Sequence, residues 1–216
     1  SSIQDNTFEN CSTLNNFTIP ISVTTIGKSA FKSCTALTSI TIPENVTTIT
    51  CFSSSTTYIP FSGCSSLTSV TWNATNRSNT GFAKIGSSSG YNYASPFSGL
   101  GSQITSFTFG NNVQSIPNYL CYNFSGVTSI TIPASVTSIG AETFEGCANL
   151  TTVTSNATTP PTIQSNTFAS PASKTLYLPH DIDVKDAYRA ADYWSSFTEA
   201  NTFPKIVQFD LQEHGD

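Results

Sequence analysis

The amino-acid sequence predicts a repeat solenoid of about seven rungs. One face carries a parallel β-sheet, the other short strands and helical turns, and a helix caps the C-terminal end. Three observations carry that prediction. First, two apolar slots recur in register: an isoleucine slot at Ile3, Ile26, Ile49, Ile85, Ile116, Ile139 and Ile163, and a phenylalanine slot at Phe8, Phe31, Phe61, Phe97, Cys121, Phe144 and Phe168. The clean steps, Phe8 to Phe31 and Cys121 to Phe144, are 23 positions, and the irregular steps add residues without losing the slots. A fixed period of this size marks an array in which no rung buries its apolar face alone. Second, Ile40 and Ile42 alternate with Ser39, Thr41 and Pro43, the period of a strand with one buried face. Third, the composition changes abruptly after Pro179.

Within the rung that starts at Phe31, the inward residues are Cys34, Leu37, Ile40, Ile42, Val46 and Ile49, and those between are small or polar. Phe31 and Cys34 have the spacing of one helical turn. Gly27 supplies the preceding corner. In Cys121-Tyr122-Asn123-Phe124 the aromatic and the cysteine change places. Both slots therefore point inward, because such a swap keeps the volume of the layer.

The chain opens at Ile3, already inside a rung and without a polar cap, so either that end is naked or more chain precedes it. Residues 8–49 form two clean rungs. Seven extra residues separate Ile49 from Phe61, with 50–56 the expected loop. The next rung places Trp72 in an isoleucine slot, which makes it core. Further insertions fall near 73–79 and 86–92, with Phe82 and Ile85 restoring the register between them. The first and third leave from one corner of adjacent rungs, so they are expected to form a single protrusion carrying Phe52, Tyr58, Tyr91 and Tyr93. Rungs through Ile104, Phe107 and Phe109 and through Ile130 and Ile132 are regular, a looser one carries Pro160-Pro161, and a strand at Leu176–Leu178 closes the array. This divides the chain into a solenoid over 3–179 and a cap and tail over 180–216. In the cap, Asp183 starts a helix near 183–193 whose third residue is Asp186. Val184, Tyr188 and Ala191 share the face that covers the last rung, with Trp194 and Phe197 beside it. A final strand is expected at Lys205–Phe209, with a frayed end beyond Leu211.

The run Leu37-Thr-Ser-Ile-Thr-Ile-Pro43, continued by Val46, Ile49, Phe61 and Cys64 and repeated in register, resembles the BspA-like leucine-rich repeat of bacterial and some protist cell-surface proteins. Asn45 and Asn112 fall in the asparagine place of the leucine-rich core, where Ser22 and Ser135 stand in other rungs. The resemblance covers about residues 3–179, and the tail is similar to the end strand and capping helix common in that family. It implies a non-enzymatic adhesion module at the cell surface.

Charge is scarce. Up to Pro179 the acids and bases balance, and the formal net charge of −5 lies in the tail. A neutral, hydroxyl-rich body without a basic stripe argues against nucleic acid and against an anionic membrane. The chain has no transmembrane segment. It has no signal peptide and no Met, so a targeting segment is expected to have been removed. The triplets at Asn73 and Asn156 are glycosylation sites if the chain passes through a eukaryotic secretory pathway.

Cys11, Cys34, Cys64 and Cys147 share one slot and read as a ladder of buried small residues, not as disulfides or metal ligands. Without a C-x-x-C pair no metal site is expected, and no cofactor. His180 and His214 are both in the tail, so no nucleophile–His–acid set can form on the solenoid. Asp181, Asp183 and Asp186 read as helix-start solvation, with weak calcium binding the minor reading. Two surfaces are candidates for ligand binding. One is the exposed strand face, with Thr41, Thr71, Thr108 and Thr131, flanked by Thr18 and Thr154 and a parallel row of Ser and Asn. Such rows suit a protein or glycan partner, though Thr also simply suits the solvent face of a sheet. The other is the protrusion with Tyr58, Tyr91 and Tyr93, whose rings either meet a partner or pack the insertion to the body. The expected function is an extracellular or cell-surface binding module for a protein or glycan of another cell or of the extracellular matrix. A rigid spacer within a larger surface protein is the alternative.

Overall fold

The computed structural model describes residues 1–53, 56–75, 82–87, 90–179 and 181–199, with the strands of two hairpins described through their backbone alone. The strands in the first half are β1 (Ser2–Ile3), β2 (Thr25–Ile26), β3 (Ser39–Ile42), β4 (Thr48–Ile49), β5 (Phe52–Ser53), β6 (Thr56–Thr57), β7 (Ser69–Trp72), β8 (Ala83–Ser87) and β9 (Gly90–Ala94). Those in the second half are β10 (Ser106–Phe109), β11 (Ser115–Ile116), β12 (Ser129–Ile132), β13 (Ser138–Ile139), β14 (Thr152–Ser155), β15 (Thr175–Tyr177) and β16 (Thr198–Glu199). The one α-helix among the described residues, α1, spans Ile182–Ala190.

Parallel pairing joins equivalent positions of successive rungs. On the longer-strand face, Ile40 lies beside Val70 and Val70 beside Phe107, then Ile130 beside Val153 and Val153 beside Leu176. On a second side, Ile3, Ile26 and Ile49 are partners in β1, β2 and β4, and Ile116 pairs with Ile139 in β11 and β13. The alternation in β3, β10 and β12 is strict, exposed then buried, as the sequence period requires.

The phenylalanine slot forms a ring stack. Phe8, Phe31, Phe61 and Phe97 follow one another with centroids 5.1 Å apart at each step and small interplanar angles. At the next rung Cys121 occupies the slot and Phe124 the cysteine slot, and both are buried as the swap implies. The aromatic path detours there through Phe107, edge-on to Phe97 and Phe124, and resumes as Phe144 stacks on Phe168 at 4.9 Å. It ends against Trp194 and Phe197.

Carbonyls of one rung accept side-chain donors of the next, while Trp72 Nε1 is buried without a hydrogen-bond partner. Cys34, Cys64 and Cys147 donate their thiols to the carbonyls of Phe8, Phe31 and Cys121 at 3.1–3.2 Å. Asn45 donates to Ile21 O at 3.0 Å, and Ser135, standing in the asparagine place, donates to Val113 O at 2.6 Å. Cys11 departs from the buried ladder: it is exposed, because no described rung lies over the first one. None of the six cysteines is in a disulfide.

The corner at each phenylalanine slot is not a helical turn. The amides of Asn6, Phe8 and Asn10 donate to Lys28, Ala30 and Lys32 of the next rung at 2.8 Å, while those of Thr7, Glu9 and Cys11 turn back three residues. Left-handed φ values at Asn6 and Asn10, and again at Ser29 and Ser33, produce this alternation. A helix would spend every amide on its own chain and leave none for the neighbouring rung. The left-handed residues cost roughly 1–2 kcal/mol each, which the inter-rung bonds offset.

Several insertions and ends differ from expectation. Residues 50–56 are not a plain loop, since β5 and β6 form an antiparallel hairpin there. The insertion at 86–92 lies within a longer hairpin of β8 and β9. Ile85 pairs with Asn92 inside that hairpin, so it does not continue the parallel isoleucine slot, which stops at Ile49 and resumes at Ile116 among the described residues. Residues 76–79 of the middle insertion lie outside the described residues. Trp72 is fully buried, as its slot implies. The strand near Leu176 does not close the array, because β16 adds to its edge. Residues 205–209, expected as a final strand, lie outside the described residues.

Helix α1 stands where a helix near 183–193 was expected, but Asp181, not Asp183, is its cap. Asp181 is extended and its carboxylate accepts the Asp183 amide at 2.8 Å. The helix ends at Ala190, and the left-handed φ of Tyr193 turns the chain into a 3-10 turn, Trp194–Ser196. Val184 and Tyr188 are buried against the last rungs. Tyr188 Oη accepts from Ser155 at 2.6 Å and donates to Ala157 O at 3.1 Å, and Trp194 Nε1 donates to Pro161 O at 2.7 Å.

One discontinuity matters for function. No ladder joins β10 to β12, so the longer-strand face is two sheets, β3–β7–β10 and β12–β14–β15–β16. Phe107 holds the place of Ile40 and Ile130 in that strand, and its ring stands at 82° to Phe97 and 66° to Phe124. Beside Val70 the larger ring is accommodated and pairing survives. Beside Ile130 no ladder forms. The rungs stay in contact at another corner, where Gly126 N donates to Gly101 O at 2.8 Å and a Cβ on Gly126 would collide with Ile104 O.

Two measurements check the core. Phe31→Ala, within the ring stack, should destabilise the chain by about 3–5 kcal/mol in denaturant unfolding, and Phe8→Ala, in the half-buried first ring, by distinctly less. At pH 8 a thiol reagent should label Cys11 quickly and the other five only after unfolding. Burial pushes Cys64 and Cys147 up to about 12 and raises Cys34 and Cys121 as well, so almost no thiolate forms.

Candidate functional site

The strand face is built by alternation. With Ile40, Val70, Phe107 and Ile130 turned inward, the next residues along each strand must face solvent. Thr41, Thr71 and Thr108 are register partners across β3, β7 and β10, with Ser39, Ser69 and Ser106 in a second row. Thr131 and Thr154 are partners in the other sheet, and there the row continues to Tyr177. Thr41, Thr108 and Thr131 are exposed, Thr71 and Thr154 partly so. The six-rung stripe read in the sequence is therefore interrupted. It divides between Thr108 and Thr131, where the two sheets part. Thr18 is exposed but lies outside any strand, in a rung where Phe17 packs edge-on to Phe31 at 5.2 Å.

The tyrosines expected on the protrusion lie outside these two sheets. Tyr58 is half-buried, with Lys28 Nζ 5.0 Å above its ring and its backbone bonded to Ser29 and Cys51. Those contacts tie the first hairpin to the body. Tyr91 and Tyr93 lie in β9, opposite Gly86 and Lys84 in the backbone register. Their side chains, that of Phe52, and the expected single protrusion fall outside the described residues, as do His180 and His214.

Two clefts indent the surface at the ends of the strands. One, about 450 Å³, reaches from Thr18 and Ile21 across Pro43 and Glu44 to Asn111 and Asn112. Ile21 is 58% exposed at its mouth. The other, about 410 Å³, follows the discontinuity between β10 and β12 and is lined by Thr105, Ser106, Thr108, Ser129, Thr131, Asn111 and Asn156, with Phe107, Phe109 and Pro133 as its apolar part. It carries no ionisable side chain, so it can act on a ligand through neutral hydrogen bonds and apolar contact only. Sequence reasoning named the threonines but missed Asn111, Asn156 and the cleft itself. The available signal was the Phe-Thr-Phe of residues 107–109, where Ile-Thr-Ile stands at 40–42 and 130–132.

Among the described residues no three His, Cys, Asp or Glu side chains come together to hold a metal. The acids at the cap have other partners: Asp181 caps α1, and Asp186 and Glu199 both bond Arg189 at 2.8 Å. No helix is long and apolar enough to cross a membrane, among the described residues.

Comparison with known proteins bears on the family. No curated protein matches the chain significantly. Among solved structures, a leucine-rich repeat protein of T. pallidum aligns at 22% identity and a TM-score of 0.36, covering 71% of this chain and 51% of that one. One from Bacteroides ovatus aligns at 22% and 0.36, covering 82% and 52%. A leucine-rich cell surface protein from Faecalibacterium prausnitzii aligns at 27% and 0.34, covering 77% and 45%. The chain thus spans about half the length of the solved structures it matches. The BspA-type leucine-rich repeat region matches in six copies over residues 1–83 and 92–202. With slots, cross-rung ladders and this match in agreement over most of its length, the chain belongs to the BspA-type leucine-rich repeat family.

Proposed function

We propose that the chain is a non-enzymatic binding module of an extracellular or cell-surface protein. It holds a protein or glycan of another cell or of the extracellular matrix against its strand face. The observation that carries the reading is the register of exposed hydroxyls, Thr41, Thr71 and Thr108 in one sheet and Thr131 in the next, on a rigid backbone. Parallel stacking repeats the same side chain at about 4.8 Å, which gives a partner a regular, uncharged surface. The family supports a protein-binding surface module. Tyr58, Tyr91 and Tyr93 form a second contact surface on the hairpins.

The ring stack favours one other reading. A core continuous from Phe8 to Phe97 and from Phe144 to the cap suits a rigid spacer inside a larger surface protein. A binding screen separates the two. The intact chain, and a variant lacking residues 86–92, should be tested against matrix proteins and glycans. Binding that survives the deletion and falls at least about tenfold on Thr41→Val/Thr71→Val places the contact on the strand face. Binding lost on the deletion moves it to the hairpin. A well-folded chain that binds nothing leaves the spacer.

A further inference from the structure

We infer that the cleft between β10 and β12 is a binding site for a neutral saccharide. The inference rests on reading the strand face as a contact surface and narrows it to one cleft and one chemistry. Three independent observations converge on it.

The first is the broken ladder. In the neighbouring pairs, Ser106 N donates to Thr68 O and Thr152 N to Thr128 O. By that register the amides of Ser129 and Thr131 and the carbonyls of Thr105 and Phe107 face the discontinuity, where no ladder joins the two strands. Such edges leave backbone donors and acceptors unpaired at the floor of the cleft.

The second is the state of the lining. Thr68, Thr137 and Thr151 give their hydroxyls to carbonyls of the preceding rung. Ser106, Thr108, Ser129, Thr131, Asn111 and Asn156 line the cleft, and no side-chain hydrogen bond within the chain engages them among the described residues. Hydroxyls and amides both donate and accept, which matches the vicinal hydroxyls of a sugar. Phe107, Phe109 and Pro133, all buried, supply the small apolar part of its floor.

The third is size and charge. About 410 Å³ is within the range of small-ligand sites, and no ionisable group lines it, so a neutral saccharide is favoured over a sialylated or sulfated one. An extended peptide is disfavoured on distance. Cα atoms of β10 and β12 still approach within 8 Å, whereas a strand laid between them needs roughly twice the 4.8 Å interstrand spacing.

The test applies the full chain to an array of neutral mannose-, galactose- and N-acetylhexosamine-containing glycans beside sialylated and sulfated ones. The best neutral glycan is then titrated and followed by amide NMR. The expected result is saturable binding to neutral glycans, with shift changes at Ser106, Asn111, Ser129 and Asn156. Asn156→Ala and Thr131→Val should each weaken it at least about tenfold, and Thr13→Val, exposed in the first rung and outside both the strand face and the cleft, should leave it unchanged. No neutral glycan bound, or binding that survives both substitutions, overturns the inference. So does an unglycosylated peptide shifting these residues where no saccharide does. A chain that binds a matrix protein through the strand face, but no saccharide, overturns this inference alone. A chain that binds neither overturns the contact-surface reading as well.

Discussion

Each rung here has an interior only because another rung lies on it, and the stack at the phenylalanine slot makes that dependence concrete. A single ring such as Phe31 is fully buried because Phe8 and Phe61 cover its two faces at 5.1 Å. Several polar atoms obey the same rule. The carbonyl of Phe8 is satisfied by Cys34, and that of Ile21 by Asn45, both one rung away. Hydrophobic burial and hydrogen bonding thus run along the same axis. At the C-terminal end the cap supplies what a further rung would: Trp194 and Phe197 cover Phe168, and Tyr188 reaches back to Ser155 and Ala157.

A stack of this kind tolerates irregularity only where volume is kept or where the excess can leave. Exchange of Cys121 and Phe124 keeps volume, and the ring path simply shifts through Phe107. The extra residues after Ile49 and Phe82 leave as antiparallel hairpins and satisfy their own backbone. Phe107 does neither. A ring where its neighbours carry Ile or Val is accommodated beside Val70, and beside Ile130 the sheets part. The uncharged cleft lies along that discontinuity, and the backbone contact of Gly101 and Gly126 still joins the two rungs.

Most of the fold was legible because a repeat reports each slot several times. Ile40, Ile132 and Leu176 needed no structural information to be placed inward. What could not be read was geometry that the slots do not encode. The spacing of Phe31 and Cys34 is compatible with a helical turn, and only the cross-rung amide bonds show the alternating corner with its left-handed Asn6 and Asn10. Ile85 fits the arithmetic of the isoleucine slot yet serves a hairpin, because local antiparallel pairing competes with stacking. The helix cap slipped from Asp183 to Asp181 because three acids in six residues offer equivalent local signals. At the candidate site the threonine rows followed from alternation. The cleft did not, since it depends on how one ring packs against three neighbours.

The most direct test of this account is amide hydrogen exchange on the native chain and on Phe107→Val. If the ring parts the sheets, Ser129 and Thr131 exchange faster than Thr152 and Thr154 in the native chain, and in the variant they become as protected as those partners, because the ladder from β10 to β12 closes. Ser129 and Thr131 amides that are already protected in the native chain, or that stay fast in the variant, would contradict it.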